Sequence, residues 1–427
     1  MLKVNLFKEG DDIVSLFKDR EVEASLEVEN SVKKILNDIK NNGDESLIYY
    51  TKKFDGVYLE NFLVSDDELK RAAREVTNKF FLALEAAKEN IEKFHKNQVQ
   101  NSYINFEENG VLLGQRILPL EKVGVYVPGG TAAYPSSVLM NVIPAKVAGV
   151  KEIIMVTPPS SDGGINPYIA AAAIVAGVDK VYKIGGAQAI GALAYGTKTI
   201  GKVDKIVGPG NIYVATAKKM VYGIVDIDMI AGPSEILIIA DEFANPSYVA
   251  ADMLSQAEHD VLAASILVTD SKKLYEEVNQ EIIRQTELLS RKDIIKQSIK
   301  NYGQAIICKD LNEAVKIANE FAPEHLEIMT KDPMQYLDKV KNAASVFLGY
   351  NTPEPVGDYF AGVNHVLPTS RTARFFSPLS VDSFIKKISF TKYTKEALLE
   401  NGEKIMLLAR KEGLTAHENS IKVRLGE

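Results

Sequence analysis

The spacing of apolar residues changes character along the chain. From about Glu27 to Asn97 they recur at three and four: Val28, Val32, Ile35, Leu36 and Ile39 outline an amphipathic helix that stops near Asn42-Gly43. A further helix starts at Ser65, where Ser65 and Glu68 have capping-box spacing. His95 closes this region among Lys93, Lys96 and Asn97 and reads as a surface histidine. At Lys122 the pattern turns into short β-branched runs that stop at glycine or proline. KVGVYVPGG, EIIMVTPP, KVYKIGG and DKIVGPGN follow one another at roughly 25 to 30 residues, each trailed by a helix-like stretch, which is βαβ spacing. A second series follows: EILIIAD, SILVTD, QAIIC, HLEIMT and SVFLG, with the charged segment 271–300 among them as surface helix. Helical segments and a short tail, GLTAHENSIKVRL, follow Ser380.

The fold class expected is α/β: two doubly wound, incomplete Rossmann-like domains with N-terminal helices and a small C-terminal tail domain. The boundaries put residues 1–121 and 232–378 in one α/β domain, 122–231 in an inserted α/β domain, and 379–427 in the tail. A site in the cleft between the two α/β units is expected.

With 427 residues, 46% of them apolar, the chain needs more than one core. A net charge of -7 with scattered Lys and Arg offers no footprint for nucleic acid. The single cysteine, Cys308, excludes an intramolecular disulfide and a cysteine-rich zinc knuckle, and sits inertly in an apolar run. The longest uncharged apolar stretch, YIAAAAIVAGV, is too short to span a bilayer, and the N-terminus, with Lys3 and Lys8, has no signal-peptide core. A soluble, cytoplasmic protein is expected.

Candidate chemistry starts at DMLSQAEH. Asn245-Pro246 has the form of an N-cap with proline at the first helical position. On the helix that follows, Val249, Met253 and Ala257 form a core stripe, and Asp252, Gln256 and His259 share another face. Two of those three can grip one metal ion, although taken alone a Gln and a His three apart more often form a capped, solvated helix face. Four of the five histidines stand beside an acid or amide: Glu258-His259, Glu324-His325, Asn364-His365 and His417-Glu418. Imidazole is both a metal ligand and a base that works near neutral pH. Glu324-His325, stiffened by Pro323 at a strand entrance, suit the base role, although an exposed pair gives the same letters. Asp358 and His365 lie in a glycine-broken loop, where a carboxylate can complete an oxygen and nitrogen ligand set suited to zinc. Ser234 precedes a strand, where its hydroxyl can simply form a turn. Glycine-ended strands free backbone N–H groups for an anionic ligand, but GxGxxG is missing and tight packing explains the same glycines.

Taken in order, VGVYVPGG, GGAQAIGALAYGT, VGPGNIYVATAKK, IAGPSEILIIAD, LSQAEHD, APEHLEI, GDYFAGVNHVLPTSRTA and GLTAHENSIKVR resemble the histidinol dehydrogenase family, from about Glu27 to Arg424. The resemblance implies a four-electron oxidation of L-histidinol through L-histidinaldehyde to L-histidine with two NAD and one water. It implies one zinc per subunit held by Gln256, His259, Asp358 and His417, orienting the substrate rather than acting as the main Lewis acid. His325 would be the general base in both oxidations and Glu324 would activate the water. Ser234, His365 and Glu412 match substrate contacts. Tyr126, Gln188 and Asn211 match NAD contacts, which makes 122–231 the NAD-binding block. The family is homodimeric, with Glu412 and His417 of the tail serving the other subunit's site.

Two other readings keep the same residues. A zinc hydrolase would use Glu324 as base with no nucleotide. A non-catalytic nucleotide-binding or assembly module would keep its histidines for structure alone.

Overall fold

The computed structural model describes residues 1–7, 25–129 and 134–426; Lys8 and Gly130 of the motifs above lie outside these. The described residues fall into two compact units, 1–98 with 120–384, and 99–119 with 385–427.

The first unit holds two parallel sheets. One has the order β6-β5-β4-β7-β8, from β4 (Lys122–Tyr126), β5 (Glu152–Thr157), β6 (Lys180–Lys183), β7 (Lys205–Val207) and β8 (Asp226–Ile227). The other has the order β1-β11-β10-β9-β12-β13, from β1 (Lys3–Leu6), β9 (Glu235–Ala240), β10 (Ala264–Thr269), β11 (Gly303–Ile307), β12 (His325–Met329) and β13 (Ser345–Leu348). Apart from the added edge strand β1, both run 3-2-1-4-5 in their own chain order, the doubly wound pattern with its switch point beside the first strand.

Helices cover both faces of each sheet, so the central strands are apolar throughout: all six residues of β9 and of β10 are buried. Alternate side chains of the five-stranded sheet feed separate cores. Val123, Val125 and Met155 pack with the helices Asn78–Lys96, Pro135–Ala148 and Pro167–Ala176, while Ile154 and Val156 pack with Leu26–Asn42, Gly186–Tyr195 and Ile212–Val221. The N-terminal helices, which the sequence boundaries group with residues 232–378, thus lay their stripe of Val32, Ile35, Leu36 and Ile39 on the sheet of residues 122–231. An amphipathic stripe declares that a helix is half-buried, not which sheet buries it.

His95 is a correction to the surface reading. It is fully buried, on the helix face that carries Leu84, Ala87 and Ile91 at spacings of three and four. Its Nδ1 lies 2.7 Å from Gln98 Oε1. Because that oxygen only accepts, and also takes the Val381 amide at 3.1 Å, Nδ1 carries the ring proton. Burial holds the imidazole pKa below its ordinary value.

The second unit contains the antiparallel sheet of β2 (Tyr103–Phe106), β3 (Leu112–Pro119) and β14 (Ile385–Lys392), in the order β14-β3-β2. Gly114 is required in β3, because a Cβ there would stand 2.7 Å from the Tyr103 carbonyl and 2.3 Å from the Phe390 ring. The helices Lys395–Lys411 and Thr415–Leu425 follow. The helical reading after Ser380 therefore misses β14, whose lysines leave a weak apolar signal, and the tail GLTAHENSIKVRL is helical over Thr415–Leu425.

Candidate active site

The site starts from the helix Pro246–Ala257. Asn245 caps it, its side chain accepting the Ser247 amide at 2.9 Å, and Val249, Met253 and Ala257 are buried as the stripe requires. Gln256 is also fully buried, yet neither end of its carboxamide meets a protein partner. The helix ends at Ala257, so His259 sits in the turn beyond it and stands open to the cavity. Asp252 leaves this group: it is buried against Glu327, and the two carboxyls share a hydrogen bond. Burial pushes Asp252 up to about 6 and raises Glu327 well above its ordinary value, so the two carboxyls favour sharing a proton.

One cavity of about 410 Å³ is lined by Ser234, Gln256, His259, Glu324, His325, Asp358 and His365, residues spread over 132 positions of chain. They come from the amino-terminal edge of the six-stranded sheet. Ser234 precedes β9, Glu324 and His325 open β12, and Gln256 and His259 end the helix that runs back to that edge. Asp358 stands in the π-helical turn Gly357–Ala361, a form of helix that recurs at functional sites.

His325 is nearly inaccessible; its Nδ1 is 3.2 Å from the Glu235 carbonyl and 3.8 Å from Glu324, and its Nε2 is 3.7 Å from Asp358. At 3.7 Å the last is an ion pair rather than a hydrogen bond. Burial alone would lower its pKa, but the charges of Glu354, Glu324 and Asp358 outweigh that and hold it well above the ordinary value. Burial pushes Glu324 up to about 8 against the opposing pull of His325 and the Glu235 amide, which donates to its Oε2 at 3.0 Å. Glu354, which the sequence reading missed, is buried in the cavity wall and pushed up to about 7 by burial. Asp358 moves the other way: burial would raise it, but His325, His365 and His259 together hold it low. Burial keeps His365 below the usual imidazole value.

A metal has two overlapping sets of donors here. His325, Glu354 and Asp358 bring ligand atoms within 4.8 Å of one another, the one such cluster of acids and histidines among the described residues. Gln256 and His259 share the cavity with Asp358, and a buried carboxamide without a partner is a ligand-type feature. Glu412 and His417 belong to the second unit, where both side chains are exposed.

A second cavity of about 480 Å³ opens at the carboxyl edge of the five-stranded sheet and includes Tyr126, Gln188 and Asn211. Tyr126 ends β4, and its hydroxyl accepts the Gly186 amide at 3.1 Å. Gln188 is buried with both amide atoms unpartnered. Asn211 caps the helix Ile212–Val221 through Oδ1, at 3.0 Å from the Tyr213 amide and 3.2 Å from that of Val214, and lines both cavities. Gly208 before it has φ +110°, and a Cβ would stand 2.1 Å from the Tyr126 carbonyl. The turn is pinned from below: buried Lys218 pairs with Asp228 and donates to Gly208 O at 2.9 Å, while Asp228 accepts the Gly208 amide at 2.8 Å. Nothing in the sequence marked Lys218 and Asp228, which lie apart from the turn in the chain.

Two doubly wound sheets whose edges wall adjoining cavities, one holding buried Glu324, His325 and Glu354 beside His259, Asp358 and His365, define an α/β enzyme with an acid–base site. The histidinol dehydrogenase family model matches residues 18–425. The chain is 58% identical to histidinol dehydrogenase of Clostridium acetobutylicum over 416 residues, 97% of this chain and 96% of that one. It is 57% identical to that of Listeria monocytogenes over 403 residues, 94% of each. The crystal structure of histidinol dehydrogenase from Elizabethkingia anophelis superposes with a TM-score of 0.93 at 42% identity, covering 100% of this chain and 98% of that one. The chain belongs to the histidinol dehydrogenase family and is an oxidoreductase of histidine biosynthesis. None of its described helices is long and apolar enough to cross a membrane.

Proposed function

We propose that the protein oxidises L-histidinol through L-histidinaldehyde to L-histidine in the cytoplasm, using one zinc per subunit and two NAD per turnover. The observation that carries this reading is Gln256: a fully buried carboxamide with no protein partner, in one cavity with His259, Asp358 and His325. Gln256, His259 and Asp358 hold the zinc from this subunit, and His417 of a second subunit completes the set. Zinc held by those residues would supply a cation that orients the amino and imidazole nitrogens of the substrate, and NAD would supply the hydride acceptor for both oxidations. Ser234, His365 and, from the second subunit, Glu412 position the substrate. His325, in the neutral form that zinc on the neighbouring Asp358 would favour by offsetting the carboxylate charge, draws the hydroxyl proton as hydride leaves. Glu324, in its ionised form, takes a proton from the water that adds to the aldehyde carbon; its carboxyl, pushed by burial up to about 8, makes that form more abundant as the pH rises. His325, having returned its first proton to the carbonyl oxygen as the water added, takes the proton released in the second oxidation. Tyr126, Gln188 and Asn211 bind the dinucleotide, which makes residues 122–231 the nucleotide domain.

A homodimer with shared sites follows from the tail's place in this scheme. Its support is the exposure of Leu399, Leu407, Leu408 and Val423 on the tail helices, apolar area that a second copy would cover.

The test is stoichiometry. Zinc-loaded protein given limiting L-histidinol and excess NAD is expected to yield two NADH and one histidine per substrate, with activity lost to a chelator and recovered with zinc. One NADH per substrate, or hydrolysis without any NADH, overturns the proposal.

A further inference from the structure

The second cavity contains a charged group that no step above uses. Asp55 ends the helix Asp44–Asp55, and one of its carboxylate oxygens is enclosed without any hydrogen-bond donor. It lines the cavity with Phe54, Tyr126, Gln188, Asn211 and Tyr213. Burial pushes its carboxyl up to about 6, so it is ionised at neutral pH but poorly solvated. A carboxylate with one oxygen enclosed and unpartnered is costly to keep, and that oxygen calls for a donor from outside the protein. Beside it Phe54 stacks on Tyr50, centroids 5.6 Å apart and rings 10° from parallel, and remains 53% exposed. That leaves an aromatic surface next to an acceptor.

The cavity's position decides which part of a dinucleotide it receives. Asn211 is shared with the cavity that contains His325, and the nicotinamide has to lie there for hydride transfer. The second cavity is left for the adenosine half. Phosphates would be repelled by Asp55, whereas the vicinal ribose hydroxyls are two donors in line with one acceptor group. In doubly wound nucleotide folds an acid near the end of the second strand does this work. Here β5 ends in Thr157-Pro158-Pro159, which has no acid, and Pro158 and Pro159 line the same cavity.

We infer that Asp55 accepts the ribose hydroxyls of the adenosine half, with the purine against Phe54, and that this carboxylate selects NAD over NADP by excluding a 2′-phosphate. This rests on the assignment of the cavity to NAD.

Asp55→Asn keeps the shape and removes the charge. It is expected to raise the KM for NAD about 10-fold, as the loss of a charge-assisted hydrogen bond does, and to lower the NAD over NADP preference by about 10-fold or more. The KM for histidinol and the zinc content should stay unchanged. Calorimetric titration of the unaltered dimer with ADP-ribose and 2′-phospho-ADP-ribose reads the same selectivity without a variant, and the unphosphorylated ligand should bind at least 10-fold tighter. An Asp55→Asn enzyme with unaltered NAD over NADP preference, or equal binding of the two ADP-riboses, overturns the assignment of Asp55. So does loss of activity with nicotinamide hypoxanthine dinucleotide, which would mean that the purine amino group is the donor. If the unaltered enzyme binds no NAD at all, the assignment of the cavity itself has failed.

Discussion

The five-stranded and six-stranded sheets share a strand order and present opposite edges to the cavities. The five-stranded sheet offers its carboxyl edge, where Tyr126 ends β4, Gly185-Gly186 follow β6 and Gly208 follows β7. Helices begin at that edge, so backbone N–H groups and the positive ends of helix dipoles suit an anion such as a pyrophosphate. The six-stranded sheet offers its amino edge, where β9 and β12 begin and the helix Pro246–Ala257 ends. Helix carbonyls and buried carboxyls collect there, a surrounding that suits a metal cation, an ammonium group and proton transfer. One topology thus serves two chemistries according to which edge is used, and the usual rule that ligands bind at carboxyl ends holds for only one of them.

The comparison predicts that damage at one edge spares the other. His325→Asn should cost the most, a fall in kcat of about 10³ to 10⁴-fold for a lost general base, with zinc content and calorimetric NAD affinity unchanged. A parallel loss of NAD affinity would show that the two edges do not act separately.

Lys218→Met comes next. It strands Asp228, whose side chain is 2% exposed, beneath the Gly208 turn, and breaking a buried pair costs about 3–5 kcal/mol. A lower denaturation midpoint together with a raised KM for NAD is expected, and Asp228→Asn added to Lys218→Met should return part of the stability.

His95→Phe tests the support behind the loop that bears His365. Asn364, which precedes His365, donates to Met140 O at 2.7 Å, accepts the Val366 amide at 2.8 Å and lies 3.5 Å from His95 Nε2. Losing the imidazole leaves buried polar atoms of Gln98 and Asn364 short of partners, at about 1–3 kcal/mol. Chemical denaturation should show that loss while NAD affinity holds.

The smallest effect is a pH dependence of stability. The carboxyl of Asp55 is near 6 in the fold and near 3.9 in an unfolded chain, so its ionisation opposes folding. The penalty is absent below about pH 4, grows between about 4 and 6, and is complete above. Asp55→Asn, without nucleotide, should therefore be more stable than the parent by about 1 kcal/mol at pH 8 after allowance for solvent screening, and equal to it at pH 4. A constant difference across that range would mean that Asp55 is not buried as a charge.

Wherever local rules act, the sequence alone sufficed. Apolar runs and period located the strands of both sheets after Lys122 except the two-residue edge strand β8, and also the Asn245-Pro246 start of the site helix and its buried stripe, because periodicity and capping depend on neighbours within a few residues. The ordered motifs likewise carried the family. Tertiary structure decided whatever depends on contacts between distant segments. It placed β14 beside β3, laid the N-terminal helices on the five-stranded sheet and buried His95 among apolar neighbours. It turned Asp252 away to Glu327, brought Glu354 to His325 and set Lys218 under Gly208. Burial and the field of charges from other strands set which carboxyl holds a proton, and neither quantity is a property of a residue and its chain neighbours.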